Sequence, residues 1–258
     1  MAEYLVKFAA RSGAASRRGA EDLIRGGRIA VNGVPETDPA RKIDPLRDTV
    51  SCDGKILHAP EEQEKVYILL HKPRGYTTSH HDVHAEKLAV SLIDLPVAGK
   101  LVSAGRLDRE SEGLLIFSND GDFIHLLTHP RYGLKKRYRV TADQPLTEAG
   151  LRRIAAGITD RGERLKADQI VPDKTPGVYL ITLQEGKKRE IRRLLKACGA
   201  ATLRLERLAL GPVELGSLAP GRWRKLTSRE VAELRNAALP RAAEKAVTSG
   251  GPASRRRE

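Results

Sequence analysis

The sequence predicts an α+β protein in two parts, and three observations carry that reading. Residues 5–24 have helical spacing and run straight into strand-and-turn signals. Residues 60–65, Pro-Glu-Glu-Gln-Glu-Lys, are polar and aperiodic, as a linker is. From residue 66 onward, short apolar runs alternate with helical periodicity. At roughly 150 residues per domain, 258 residues suit a small unit followed by a larger one. The expected boundaries are 1–60 for the small unit, 61–65 for the linker, 66–238 for the large unit and 239–258 for a tail.

In the small unit, Leu5, Phe8 and Ala9 fall at i, i+3, i+4. A second helix starts at Ser16 as N-cap, buries Ala20, Leu23 and Ile24, and stops at Gly26-Gly27. Arg28 to Val31 then reads as a strand entering an Asn32-Gly33 turn. Thr49 to Cys52 is another strand-like run.

In the large unit, Val66 to Leu70 is a strand ending in a basic, turn-rich loop, His71 to Tyr76. Leu101 to Ser103 and Gly113 to Ser118 are strands on either side of the loop from Gly105 to Glu112. Asn119-Asp-Gly121 turns the chain into a helix carrying Phe123, Ile124 and Leu127. In the next strand Lys136, Tyr138 and Val140 alternate with Lys135, Arg137 and Arg139, which sets most of the bases on the face opposite Tyr138. Thr147 caps a helix with Leu151, Ile154 and Ala155 on its inner side. Val178 to Leu183 is a strand, and Ile191, Leu194, Leu195 and Cys198 mark an amphipathic helix ending at Gly199. Thr227-Ser-Arg-Glu230 is a capping box opening the last helix, with Val231 and Leu234 inside. Beyond Pro240 the composition turns to Ala, Ser, Gly and Arg, the signature of a disordered basic tail.

Lys and Arg total 46 against 33 Asp and Glu, a net charge of +13. Such a surplus reads either as a polyanion-binding surface or as a basic but inert one. The bases gather in three clusters. Lys7, Arg11, Arg17, Arg18, Arg25 and Arg28 face only Glu21 and Asp22; no acid lies between Arg131 and Arg139; and eight bases stand against three acids from Glu185 to Arg207. Aromatic residues make up only 4% of the chain, which disfavours a platform stacking several bases in a row. No apolar run is long enough to span a membrane, and no secretion leader is visible. Cys52 and Cys198 lie too far apart in sequence to suggest a disulfide framework, so a cytoplasmic setting is expected.

Few constellations carry chemistry. His80, His81, His84 and Asp82 match no zinc spacing and read as a solvated loop. Neither a Walker loop nor a Gly-x-Gly-x-x-Gly pattern is present, so a nucleotide cofactor has no support in the sequence. Asp108 sits between Arg106 and Arg109, and positive neighbours favour the ionised form of a carboxylate. It is open to two readings, a nucleophile or anionic stabiliser on the one hand and a surface ion pair on the other. Gly105 and Gly113 on either side would let backbone come close.

Two resemblances bear on these alternatives. Leu5, Phe8, Ala9, Arg11, Gly13, Ala15-Ser-Arg-Arg-Gly-Ala20, Leu23-Ile24, Gly27-Arg28 and Val31-Asn-Gly33 resemble the S4 domain, which implies RNA as the polyanion. Ala104-Gly-Arg-Leu-Asp108, Glu112-Gly-Leu-Leu115 and Asn119-Asp-Gly121 resemble the signature of bacterial ribosomal RNA pseudouridine synthases with an N-terminal S4 domain, the RsuA/RluB type. In the expected order come His71 to Tyr76, Thr128 to Tyr132 with Lys136-Arg-Tyr138, Glu185 to Leu194, and Gly211 to Thr227. Together the matches cover residues 1 to about 237.

The resemblance implies an S4-like RNA-binding domain, then a catalytic domain with a mainly antiparallel sheet flanked by helices; it also implies a redox-neutral isomerisation, for which no metal or organic cofactor is expected. It implies Asp108 as catalytic aspartate, attacking the sugar or the base ring; Tyr138 as the tyrosine stacking on the base and aiding proton removal; and Arg192 as the partner of the aspartate. Pairing suits a buried carboxylate, which would otherwise protonate. Arg106 matches the arginine that fills the gap left by the flipped nucleotide. Lys7, Arg11, Arg17, Arg18, Arg28, Arg189 and Arg193 are the expected RNA contacts. Glu190 and Leu194 depart from the family, which more often has Gln and Met there. The expected partner is ribosomal RNA, free or in an assembly particle, bound by a monomer. The wording from Arg189 to Leu194 favours large-subunit (23S) over small-subunit (16S) RNA. A noncatalytic assembly factor would lack Asp108, Tyr138 or Arg192, and a generic RNA chaperone would be of low complexity throughout; the sequence has all three residues in ordered motifs.

Overall fold

The computed structural model describes residues 2–58, 64–78 and 87–238. They fall into two compact units, Met1–Glu64 and Lys65–Glu258. Part of the linker expected at 61–65, the His80–His84 group and the tail expected at 239–258 lie outside the described residues.

The first unit contains β1 (Glu3–Tyr4), α1 (Leu5–Arg11), α2 (Arg17–Arg25), β2 (Ile29–Val31), β3 (Val34–Glu36), β4 (Lys42–Ile43), β5 (Val50–Cys52) and β6 (Lys55–Ile56). Ser16 accepts the Gly19 amide at 3.2 Å and so caps α2. The strands β3-β2-β5-β6 form an antiparallel sheet. Two of its turns, Asn32-Gly33 and Asp53-Gly54, have positive φ at both residues, the geometry of the tight hairpin turn that Asn-Gly and Asp-Gly sequences favour. Leu5, Phe8, Ala9, Ala20 and Ile24 of the helices pack with Ile29, Val31, Ile43 and Val50 in one core.

The second unit contains β7 (Tyr67–Lys72), β8 (Val102–Ser103), β9 (Glu112–Ser118), α3 (Gly121–Thr128), β10 (Lys136–Ala142), α4 (Glu148–Ala156), β11 (Ile158–Asp160), β12 (Glu163–Leu165), β13 (Gln169–Pro172), β14 (Val178–Leu183), α5 (Glu190–Ala197), β15 (Thr202–Leu210), β16 (Val213–Glu214), β17 (Trp223–Lys225) and α6 (Ser228–Ala238). Its main sheet has nine strands along the path β13-β14-β10-β15-β9-β7-β17, with β16 on β15 and β8 on β9. Every pairing is antiparallel except β15 with β9, so the mainly antiparallel α+β fold is as expected.

Burial follows from layers. In β7 and β9, Ile68, Leu70, Leu115 and Phe117 face a core shared with Ile154 of α4 and Ile191, Leu194 and Leu195 of α5. Leu69, Leu114 and Ile116, one residue out of phase, face a second core with Phe123 and Leu127 of α3 and Leu234 of α6. Helices thus cover both faces, and all of β9 is buried, which is why it reads as an unbroken apolar run. β10 instead alternates, with Tyr138 and Val140 buried and Arg137 and Arg139 exposed and paired to Glu214 and Asp173. On α4 the buried residues are Gly150 and Ile154, while Ala155 is exposed, contrary to the periodicity reading. A methyl group is too small to decide which face a helix buries.

The capping box of α6 is complete: the Thr227 amide donates to Glu230 Oε2 at 2.8 Å, and the Glu230 amide donates to Thr227 Oγ1 at 3.1 Å. Arg224 grips the same carboxylate and holds it down to about 2. No helix among the described residues is long and apolar enough to cross a membrane. Among them, too, no three His, Cys, Asp or Glu side chains could hold a metal ion together.

Candidate active site

The loop from Gly105 to Ser111 joins β8 to β9 and carries Asp108 at its exposed crest. Gly105 begins it with φ +76°, the left-handed conformation open to glycine. Three alternate carbonyls of the loop are held by the last residue of β7 and the segment that follows it. Thr78 Oγ1 donates to Leu107 O at 2.8 Å, the Gly75 amide to Arg109 O at 2.7 Å, and Lys72 Nζ to Ser111 O at 2.6 Å. The Leu107 amide returns a bond to Thr78 Oγ1 at 3.2 Å. Fixing the carbonyls on both sides of residue 108 sets where its carboxylate stands, without touching the carboxylate itself.

Lys72 is fully buried, an unusual place for an ammonium group. Burial pushes it down from 10.5 to about 8, against the pull of Glu112 and Asp108. Between pH 8 and 10.5 the unfolded chain therefore holds this proton more tightly than the folded one. Unfolding free energy is expected to rise with pH across that window. Denaturant titrations along a pH series should show the rise in the wild type and a smaller one in Lys72→Met.

The expected pairing of Arg192 with Asp108 needs correction. Asp108 Oδ2 lies 3.8 Å from Nη1 of Arg189, whose Nη2 reaches Glu110 at 3.3 Å. Arg192 lies deeper: its Nη1 donates to Thr202 O at 3.2 Å, and its Nη2 is 3.8 Å from Glu110. Burial lowers its guanidinium, with Glu110 the stronger and Asp108 the weaker opposing charge. The premise of a buried carboxylate fails as well, since the Asp108 side chain is 41% exposed. Arg189 occupies the N-cap of α5 with φ 52°, a left-handed conformation that a non-glycine residue adopts at a cost of about 1–2 kcal/mol. Because its side chain is open to solvent, Arg189→Ala should lower kcat/KM about tenfold with little change in stability. Arg192→Ala should cost activity and also about 1–3 kcal/mol of stability, since it strips a part-buried carbonyl of its donor. Steady-state rates with urea denaturation separate the two.

Asp108 opens onto a cleft of about 870 Å³. Tyr138, Arg106, Arg189, Lys136 and Arg207 also line it; Arg192 and Arg193 do not. Beside Tyr138 the sheet is irregular: β10 and β15 shift register between Arg137 and Tyr138, so Leu208 has no counterpart in β10 and Arg207 stands opposite the tyrosine. Arg207 is 2% exposed and donates through Nε to Leu114 O at 2.6 Å. Lys136 donates to Leu134 O and Gln184 O, and burial together with Arg207 lowers its ammonium. The sequence places Lys136 on the Tyr138 side of its strand, within the Lys136-Arg-Tyr138 motif, but assigns no role to it, to Lys72 or to Arg207. Arg207 did carry a signal: it occupies an inward register position between Leu205 and Ala209.

The remaining expected RNA contacts divide. Arg193 pairs its guanidinium with both Asp160 and Glu163 of the β11–β12 hairpin. In the first unit Arg28 pairs with Asp53 and Arg11 with Glu3, while Lys7, Arg17 and Arg18 are exposed.

Comparison with known proteins bears on the family of both units. Residues 66–197 match the RNA pseudouridylate synthase family, and residues 5–48 match the S4 domain. The chain is similar to an uncharacterized RNA pseudouridine synthase of Aquifex aeolicus, 37% identical over 231 residues, covering 88% of this chain and 92% of the relative. It is similar also to the ribosomal small subunit pseudouridine synthase A of Escherichia coli, 34% identical over 235 residues, covering 89% and 99%. A crystal structure of a pseudouridylate synthase superposes with a TM-score of 0.66 at 31% identity, covering 90% of this chain and 99% of the other.

Proposed function

This chain belongs to the RNA pseudouridylate synthase family, and on that premise we propose that it converts uridine to pseudouridine in ribosomal RNA with Asp108 as the reacting carboxylate. The observation that carries the assignment is an exposed carboxylate on a loop held at three alternate carbonyls, opening onto a cleft that also contains Tyr138. A nucleophile needs this combination of a fixed position and an accessible oxygen.

The reaction is an isomerisation. The bond from C1′ to N1 breaks, a bond from C1′ to C5 forms, N1 gains a proton and C5 loses one, so no oxidant or group donor is consumed. Attack by Asp108, on the sugar or on the base ring, releases the base for rotation. We assign Tyr138 the stacking of the uracil and a part in removing the C5 proton. Arg189 is the direct counter-ion of Asp108, and Arg192 acts through Glu110 and the loop. We assign to Arg106, exposed on the loop beside Asp108, the filling of the gap left by the flipped nucleotide. Lys7, Arg17 and Arg18, on the S4 unit, supply backbone contacts that offset the few kcal/mol of flipping.

Within ribosomal RNA, the name of the Escherichia coli relative speaks for small-subunit RNA, against the large-subunit preference expected from residues 189–194. We take a monomer as the simplest state, and the free thiols of Cys52 and Cys198 suit a reducing cytoplasm. The test maps pseudouridine in both ribosomal RNAs from cells lacking the protein, complemented with wild type or Asp108→Ala. Positions that disappear should return with the wild type only, and the subunit that loses them names the substrate. The reading fails if no position disappears, or if Asp108→Ala restores them.

A further inference from the structure

The C-terminal end of α3 and the short 3-10 turn after it, Pro130–Tyr132, carry a group of rings that the proposed chemistry does not use. His125 and His129 lie 4.9 Å apart, and the Tyr132 ring stands edge-on to them at 5.9 and 6.1 Å. The Arg131 guanidinium lies over the Tyr132 ring at 4.5 Å. His125, His129 and Arg131 are exposed. Such a group is conspicuous in a chain with 4% aromatic residues. The cleft beside Asp108 is lined by two aromatic rings among the described residues, buried Tyr138 and exposed His129.

The His129 ring is also fixed. Its Nδ1 accepts the Arg131 amide at 3.1 Å, which in the neutral ring places the proton on Nε2. His129 thus offers a flat face and an outward donor, held in place by its own backbone. Rings of this kind bind unstacked bases, because every base has a π-face whatever its sequence. An RNA whose uridine is flipped has such bases on either side of the gap.

We propose that the His125–His129–Tyr132 rim, with Arg131, is a second nucleobase subsite, in which the base flanking the target uridine stacks on His129. The proposal rests on the pseudouridine synthase reading. It predicts that the rim contributes to RNA affinity and KM rather than to kcat.

Two variants separate stacking from a merely structural role. His129→Asn keeps an acceptor for the Arg131 amide and removes the ring; His129→Phe keeps a ring and removes the acceptor. Each is made in the wild type, for tritium release from 5-tritiated 16S and 23S RNA transcribed in vitro, and in Asp108→Ala, for binding of the same RNAs. Stacking predicts that His129→Asn weakens binding and raises KM about tenfold with kcat unchanged, whereas His129→Phe stays within about threefold. Indifference to His129→Asn, or a loss with His129→Phe as large as with His129→Asn, overturns the subsite. Absence of tritium release by the wild type on both RNAs, with binding still sensitive to His129→Asn, would instead sink the catalytic reading and leave the subsite standing.

Discussion

Asp108→Asn abolishes pseudouridine formation: the expected loss is on the order of 10⁴-fold or more in kcat, with RNA binding within about twofold of wild type. Asparagine matches the shape of aspartate but lacks the charge and the nucleophilic oxygen. The bonds holding the loop are made by backbone carbonyls at 107, 109 and 111, so the substitution leaves the clamp intact and the fold unchanged. Tritium release and a binding titration on the same RNA make the comparison. A loss of only about tenfold would show that Asp108 supplies charge rather than a bond. Glu110, which shares Arg189 with it and is 57% exposed, would then become the nucleophile to test.

Gly113→Ala has the largest expected effect on stability, about 3–5 kcal/mol, read as a lower urea midpoint. Gly113 pairs with Arg207 where β9 runs parallel to β15, and its φ is +107°. A Cβ there would lie 2.3 Å from the Arg207 oxygen and 2.5 Å from its nitrogen. Both are backbone atoms of a central strand, so relief requires separating the two strands. Activity should fall with stability, because Arg207 sits opposite Tyr138 and the Asp108 loop enters β9 directly. Gly105→Ala is the control. It has a similar left-handed conformation, φ +76°, but nothing within 4 Å of the added atom, and should cost only about 1–2 kcal/mol.

The contrast between these two glycines shows what a linear reading can reach. Both were legible as places where backbone conformation or close approach matters. Which neighbour Gly113 meets depends on a strand ninety-four residues further on (207 − 113), and no local pattern encodes that pairing. The helices and the first hairpin turn were legible because their signals are local. Ser16, Thr147 and Thr227 cap the helices they precede, and Asn32-Gly33 makes its tight turn. Ala155 failed because a single methyl carries little preference for either face.

The sequence by itself determined the α+β class, the helices, the family, and the two residues proposed to meet the base, Asp108 and Tyr138; it left the central strand β15 unread. Spacing, caps and motif order are written in neighbouring residues, and these features require nothing else. Tertiary structure alone decided the charge partners. It put Arg189 rather than Arg192 beside Asp108, tied Arg193 to the β11–β12 hairpin, and drew Lys72 into the core to hold the catalytic loop. The physical reason is the reach of a guanidinium or ammonium group. It extends several ångströms from a backbone whose position is set by packing, so adjacent arginines on one helix meet different carboxylates once the sheet and its cover are in place.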